Sequence, residues 1–192
     1  MSGNVLELLE KAEGVLKGHF CLTSGLHSDI YFQCAKLYQY PDLTEKIGKE
    51  LAQKLEGIEF DTIVSPAIGA VIMGYETAKQ AGKRNLFVER KDGKMELRRG
   101  YSLDKGEKVV IIEDVITTAR TINETIEALA PFRAEVAAVG CIVDRTCGKT
   151  GFNIKSLLQI DPVTYDPSDC PLCREGLPLV KPGSRVEVKA SV

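Results

Sequence analysis

An α/β fold is what this sequence predicts, with a mostly parallel central sheet, flanking helices and a small N-terminal hood. Three observations carry it. Short apolar runs alternate with helical periodicity from residue 43 to residue 160. Two of the runs, 109–112 and 134–143, are nearly continuous in apolar residues, as strands covered on both faces are. Two of the strands lead through a short loop straight into a helical pattern. At 192 residues, one domain with a sizeable core is the expectation.

The elements follow in order. Val5, Leu6, Leu8, Leu9, Ala12, Val15 and Leu16 recur at helical spacing and predict a first helix that stops near Gly18. Phe20 and Leu22 alternate as a strand, Ser24-Gly25 marks a turn, and Ile30-Tyr31-Phe32 forms a second short strand. Leu43, Ile47, Leu51 and Leu55 give an amphipathic helix closed by Gly57. Residues 61–64 form a strand that enters Ser65-Pro66-Ala67-Ile68-Gly69-Ala70, and a helix runs on through Ala78. Small residues in that loop let backbone N–H groups approach an anion. Residues 85–89 are a third strand. The chain then turns basic and loses its apolar pattern through Arg90, Lys91, Lys94, Arg98 and Arg99, which predicts a loop. The 134–143 strand ends in Asp144-Arg145, and 154–160 is the last strand. Prolines at 162, 167, 171, 178 and 182 mark an extension and not a second domain. The chain therefore divides as 1–40 helix and hood, 41–160 α/β core, and 161–192 extension.

Composition narrows the function. The hydrophobic fraction of 44% and charged fraction of 27% are those of a globular protein. A net charge of −2 gives no global footprint for nucleic acid. The N-terminal residues carry acids among their leucines, and no apolar run reaches the roughly 18 residues of a membrane helix. Neither a signal peptide nor a membrane partner is expected, and the cytoplasm is the expected location. Six cysteines are then expected as reduced thiols, with Cys21 and Cys141 as small core residues. Cys170-Pro-Leu-Cys173 is a single CxxC, half of a four-ligand zinc site, and no second pair of suitable spacing appears. It reads as a tight turn without metal. His19 and His27 are too few and too close in sequence to argue for a metal cluster.

The stretch 109–121 carries the chemistry. Four β-branched residues are followed by Glu113-Asp114, then by Val115-Ile116-Thr117-Thr118-Ala119-Arg120-Thr121 and a helical pattern. Open α/β sheets bind ligands at the carboxyl ends of their strands. A helix N-terminus there offers N–H groups and partial positive charge to a phosphate. Two acids beside a phosphate site suit sugar hydroxyls or a metal.

This order of parts resembles the phosphoribosyl pyrophosphate (PRPP) motif of the type I phosphoribosyltransferases. The Phe20–Phe32 hood is similar to that of the orotate phosphoribosyltransferases, and the resemblance runs roughly from Phe20 to Leu158. It implies transfer of the 5-phosphoribosyl group from PRPP to orotate, giving orotidine 5′-monophosphate and pyrophosphate. Mg²⁺ is the implied cofactor, and a homodimer with shared active sites the implied assembly. Glu113 and Asp114 would hold the ribose hydroxyls, and Val115 through Thr121 would line the 5-phosphate. Ser65, Pro66, Ala67 and Gly69 would take pyrophosphate. Tyr31, Phe32, Thr117 and Arg145 would bind orotate, with the Arg145 fork on its carboxylate. Arg145 has a second reading at this point, as a partner of Asp144 or Glu113. Arg90, Lys91 and Lys94, on a mobile loop, would act in catalysis with Asp114, and Arg98 and Arg99 would add phosphate or dimer contacts. His27 has two readings, a substrate donor or a solvated turn residue.

Three departures from the family pattern stand out. Thr23 replaces a lysine of the hood, and the 65–70 loop lacks its usual lysine. Ala119-Arg120 replaces a glycine and a small residue; if φ there is positive, alanine costs on the order of 1 kcal/mol or more. Two other functions stay open: phosphoribosyl transfer to another base, and a non-catalytic PRPP-sensing regulator.

Overall fold

The computed structural model describes residues 5–22, 24–161 and 163–182. Helix α1 spans Val5–Lys11 and ends sooner than its periodicity predicts. Glu13 takes a left-handed φ of 54°, the Gly14 N–H donates to the Leu9 carbonyl, and the Glu13 N–H donates to that of Glu10. This pair of bonds closes a helix C-terminus. Val15 and Leu16 therefore start a strand, β1 (Val15–Cys21), which pairs antiparallel with β2 (His27–Phe32). Helix α2 (Pro41–Lys54) begins on a proline, whose fixed φ suits a first helical position, and buries Leu43, Ile47 and Leu51.

The core then alternates: β3 (Thr62–Pro66), α3 (Val71–Ala81), β4 (Arg84–Lys91), β5 (Lys94–Leu97), β6 (Lys108–Ile116), α4 (Arg120–Leu129), β7 (Glu135–Asp144) and β8 (Ile154–Gln159). The six strands lie in the order β5-β4-β3-β6-β7-β8, and all neighbours are parallel except β4 and β5. The predicted basic loop is instead this β4–β5 hairpin. Asp92 and Gly93, both at positive φ, make its two-residue turn, and Met95 buries its side chain.

Strand β6 is the axis of the sheet. Val110 and Ile112 face a cluster that includes Ile47 and Leu51 of α2, while Ile111 faces Ile122 of α4 and Val139. Gly140 on β7 makes room for Ile112, since a Cβ there would lie 2.6 Å from the Ile112 Cδ1. The strand also runs further than its apolar run predicts, so Glu113 and Asp114 lie inside it.

The extension is more structured than its prolines suggest. β9 (Thr164–Tyr165), α5 (Pro171–Arg174) and β10 (Leu179–Val180) return to the hood. They complete a second sheet in the order β10-β1-β2-β9. Hood and extension are thus one structural unit. No helix among the described residues is long and apolar enough to cross a membrane.

Candidate active site

Strands β3 and β6 are neighbours, and their carboxyl ends run into α3 and α4. Neither helix N-terminus has a side-chain cap, so each keeps N–H donors for an outside acceptor. The loop before α3 lies directly over the acids of β6. A Cβ on Gly69 would stand 3.1 Å from the Asp114 Oδ2, so glycine is what permits this approach.

The two acids differ. Glu113 is buried, and its Oε1 accepts the Asp114 N–H at 3.1 Å. Burial, and then the charge of Asp114, push the Glu113 carboxyl well above the usual carboxylate range. Asp114 is half-buried, and its Oδ1 accepts the Val115 N–H at 2.7 Å. The Tyr38 hydroxyl nearby is buried without a hydrogen-bond partner among the described residues. Burial, with Asp114 second, pushes that phenol well up.

Arg145 follows β7 and is pinned to the acid strand, its N–H donating to the Ile116 carbonyl at 2.8 Å. Its Nε is buried and has no hydrogen-bond partner among the described residues. Burial draws the guanidinium below its ordinary range, and Tyr31 works the other way. The Tyr31 phenol is pushed up by burial first and Asp114 second, and Arg145 opposes this. Tyr31 therefore feels both the acid strand and Arg145. Arg145 forms no ion pair among the described residues, while the Asp144 Oδ1 accepts the Thr146 N–H at 2.8 Å. A buried guanidinium donor without an acceptor is costly, and an anionic ligand relieves that cost.

Comparison with known proteins shows the family. Residues 34–151 match the family model described as phosphoribosyl transferase domain. An orotate phosphoribosyltransferase of Caldanaerobacter subterraneus is 50% identical over 183 residues, covering 94% of this chain and 96% of its own length. The chain belongs to the orotate phosphoribosyltransferase family. Among solved structures, Leishmania donovani UMP synthase superposes with a TM-score of 0.72 at 26% identity, covering 90% of this chain and 38% of that one. The orotate phosphoribosyltransferase of Aeropyrum pernix shares the fold, with a TM-score of 0.65 at 24% identity over 81% of this chain and 93% of its own.

Within this phosphoribosyltransferase fold the expected site residues separate into two groups. Asp114, Glu113, Gly69, Tyr31 and Arg145 come together as described. Thr117 and Thr118 are exposed ahead of α4, and Thr121 is half-buried in its first turn. Ala119 does take a left-handed φ, 55°, where the family usually has glycine.

Other expectations are corrected. Phe32 is buried in the main core, because neighbours on a strand face opposite sides and Tyr31 takes the outer one. Tyr31 packs instead on Phe20, with ring centroids 5.8 Å apart. Ser65 and Pro66 belong to β3, not to the loop. The Ser65 hydroxyl is turned under α3, where a Cβ on Gly74 would lie 1.8 Å from it. The Ala67 N–H is taken by the Val88 carbonyl at 2.7 Å. Ile116 is buried, and its carbonyl serves Arg145; Val115 packs against the core. Arg98 and Arg99, expected as phosphate or dimer contacts, both bond Glu89.

Glu124 on α4 makes a contact the sequence did not reveal. Its carboxylate accepts from both Arg90 and Arg120, the latter at 3.0 Å. It thereby ties the basic hairpin to α4. Partial burial would raise this carboxyl, but the two guanidiniums outweigh it and hold it below the usual range. Lys91 and Lys94, paired across the hairpin turn, are exposed and form no ion pair among the described residues. Thr23 lies outside the described residues. The other end of the sheet has a hollow lined by Thr62, Arg84 and Glu107, but these groups bond one another.

Proposed function

We propose that this chain transfers the 5-phosphoribosyl group of PRPP to orotate, releasing pyrophosphate and forming orotidine 5′-monophosphate. The observation that carries the choice of base is Arg145, whose Nε is buried with no hydrogen-bond partner among the described residues and whose charge acts on Tyr31. A planar base with a carboxylate answers both groups: the ring lies against Tyr31, and the carboxylate takes the guanidinium.

Each remaining part has one ligand. Asp114 and the buried Glu113 receive the ribose hydroxyls. The N–H groups opening α4, with Thr117, Thr118 and Thr121, cradle the 5-phosphate. The loop through Gly69 takes pyrophosphate, and Lys91 and Lys94 approach it from the hairpin. The donor set around Asp114 is oxygen-rich and partly open, and so fits Mg²⁺. Mg²⁺ held there would supply positive charge to offset the charge of the leaving group. The residues contribute no nucleophile. A nitrogen of the base attacks the sugar carbon as the bond to pyrophosphate breaks. Positioning and leaving-group stabilisation supply the rate.

A second copy of the chain completes the picture. Ile68, Ile72 and Tyr75 are exposed by 82%, 48% and 60%, and they border the pyrophosphate loop at one end of α3. An apolar patch in that place suits a homodimer interface. The six free cysteines suit the cytoplasm.

Steady-state kinetics of Arg145→Ala test the assignment. The KM for orotate should rise about tenfold or more, as loss of a charge-assisted hydrogen bond requires. The KM for PRPP should change little. Equal rises in both would remove Arg145 from the carboxylate.

A further inference from the structure

The hood and the extension meet at four side chains that no step above uses. His19 lies on β1 and His27 on β2, and Cys170 and Cys173 flank the start and body of α5. Their potential ligand atoms all lie within 4.8 Å of one another. The His19 Nε2 is 2.9 Å from the His27 Nδ1 and 3.6 Å from each sulfur, and the Cys173 Sγ is 3.4 Å from the His27 Nδ1. These are four of the six edges of a tetrahedron of about the right size. Zinc bonds of about 2.0–2.1 Å to nitrogen and 2.3 Å to sulfur put N···S edges at about 3.6 Å and an N···N edge at about 3.3 Å.

We propose that His19, His27, Cys170 and Cys173 bind one zinc ion that fastens the C-terminal extension to the hood. The expectation that CxxC lacks a second ligand pair fails because the histidines supply it from the other end of the chain. Four protein ligands leave no open position, so the site is structural. Two sulfurs and two imidazoles select zinc over magnesium or calcium.

Two further observations point the same way. The His19 Nδ1 lies 2.8 Å from the Leu177 carbonyl, to which it donates, leaving the Nε2 lone pair for a metal. Leu177 belongs to the same extension that brings the cysteines. The extension also lacks a core of its own. From Val163 to Pro182, Cys170 is the one buried residue, while Val163, Leu177, Leu179 and Val180 are exposed. Its strands are only two residues long, with partners at Tyr165–His27 and Leu179–His19. Those pairings fall on the two histidines. A segment with so little buried surface needs a cross-link, and metal binding supplies folding free energy directly. An irregularity in the β1–β2 pairing between Lys17 and Phe20 falls at His19, the place where a bulge re-aims a side chain.

Tyr31 stands four residues beyond His27 on β2, so the ion steadies the strand that carries it; this consequence rests on the orotate reading, whereas the metal site does not. The test is metal analysis of the full chain purified under reducing conditions from zinc-supplemented medium. The site predicts about one zinc per chain retained through dialysis. Replacement by Co²⁺ should give thiolate charge-transfer and tetrahedral ligand-field bands. Cys173→Ser and His27→Ala should lose both the metal and the bands, while Cys147→Ser, whose thiol is exposed elsewhere, should keep them. A strong chelator should lower the Tm of the wild type, and added zinc should restore it. Absence of zinc together with absence of cobalt–thiolate bands in the reduced, folded wild type would overturn the proposal. So would full retention of zinc by Cys173→Ser and His27→Ala. Because the wild type alone decides the first outcome, a variant that misfolds does not rescue the idea.

Discussion

Ala119 shows how a single residue balances two costs. Its φ of 55° is left-handed, where an L side chain is strained by on the order of 1 kcal/mol. Its methyl is buried against Ile111, Ile116 and Ile122, which returns about 0.8 kcal/mol. Ala119→Gly should therefore shift stability by less than about 1 kcal/mol. Ala119→Val is different, because a branched Cβ in the left-handed region is a true outlier. It should lower the unfolding free energy by about 2 kcal/mol or more in urea, with the m-value unchanged. Wild-type stability in that variant would show that the loop does not hold this φ. At this scale the sequence was partly legible. The motif located Ala119 and Asp114, and the departure from glycine announced the strain. It did not reveal that Phe32 points inward, or that Ser65 is turned under α3. Both depend on which face of a strand the core occupies, and tertiary packing decides that.

The β4–β5 hairpin and α4 act together as elements through Glu124. A carboxylate held below its ordinary range contributes stability above its unfolded pKa and loses it as pH falls through the folded value. Glu124→Gln should thus cost about 1 kcal/mol near pH 7. The gap between wild type and variant should close below about pH 4.3, the ordinary glutamate value. A gap that persists in acid would mean that Glu124 acts through packing and not through its charge. The hairpin's own role is read from kinetics. Lys91→Ala and Lys94→Ala should each lower kcat and leave Tm nearly unchanged, since neither ammonium pairs with an acid among the described residues. Unchanged kcat would reduce the hairpin to a solvated connection. Asp92-Gly93 between two charged residues was a legible turn signal, but the basic run around it hid the strand. The end of α1 was equally available in Gly14, yet the apolar pairs on either side kept helical spacing across it.

In the molecule as a whole, the alternation from residue 43 to 160 was sufficient to predict the parallel sheet, because buried strands and amphipathic helices leave distinct periods. The hood sheet was not predictable that way. Its outer strands are two residues long, and its four zinc-site side chains are separated by up to 154 positions. Only the fold brings them to one point. The sheet then sets the loops that open α3 and α4 at one edge, with Arg145 beside them, and the hood brings Tyr31 close to Arg145. On the orotate reading, base choice therefore belongs to the assembled molecule and not to one motif. The measurement that tests this most directly is pyrophosphate release from PRPP and Mg²⁺ with orotate, uracil, adenine and hypoxanthine offered separately. Turnover with orotate, and little or none with the three bases that lack a carboxylate, is the predicted result. Turnover with adenine, hypoxanthine or uracil in place of orotate would contradict it.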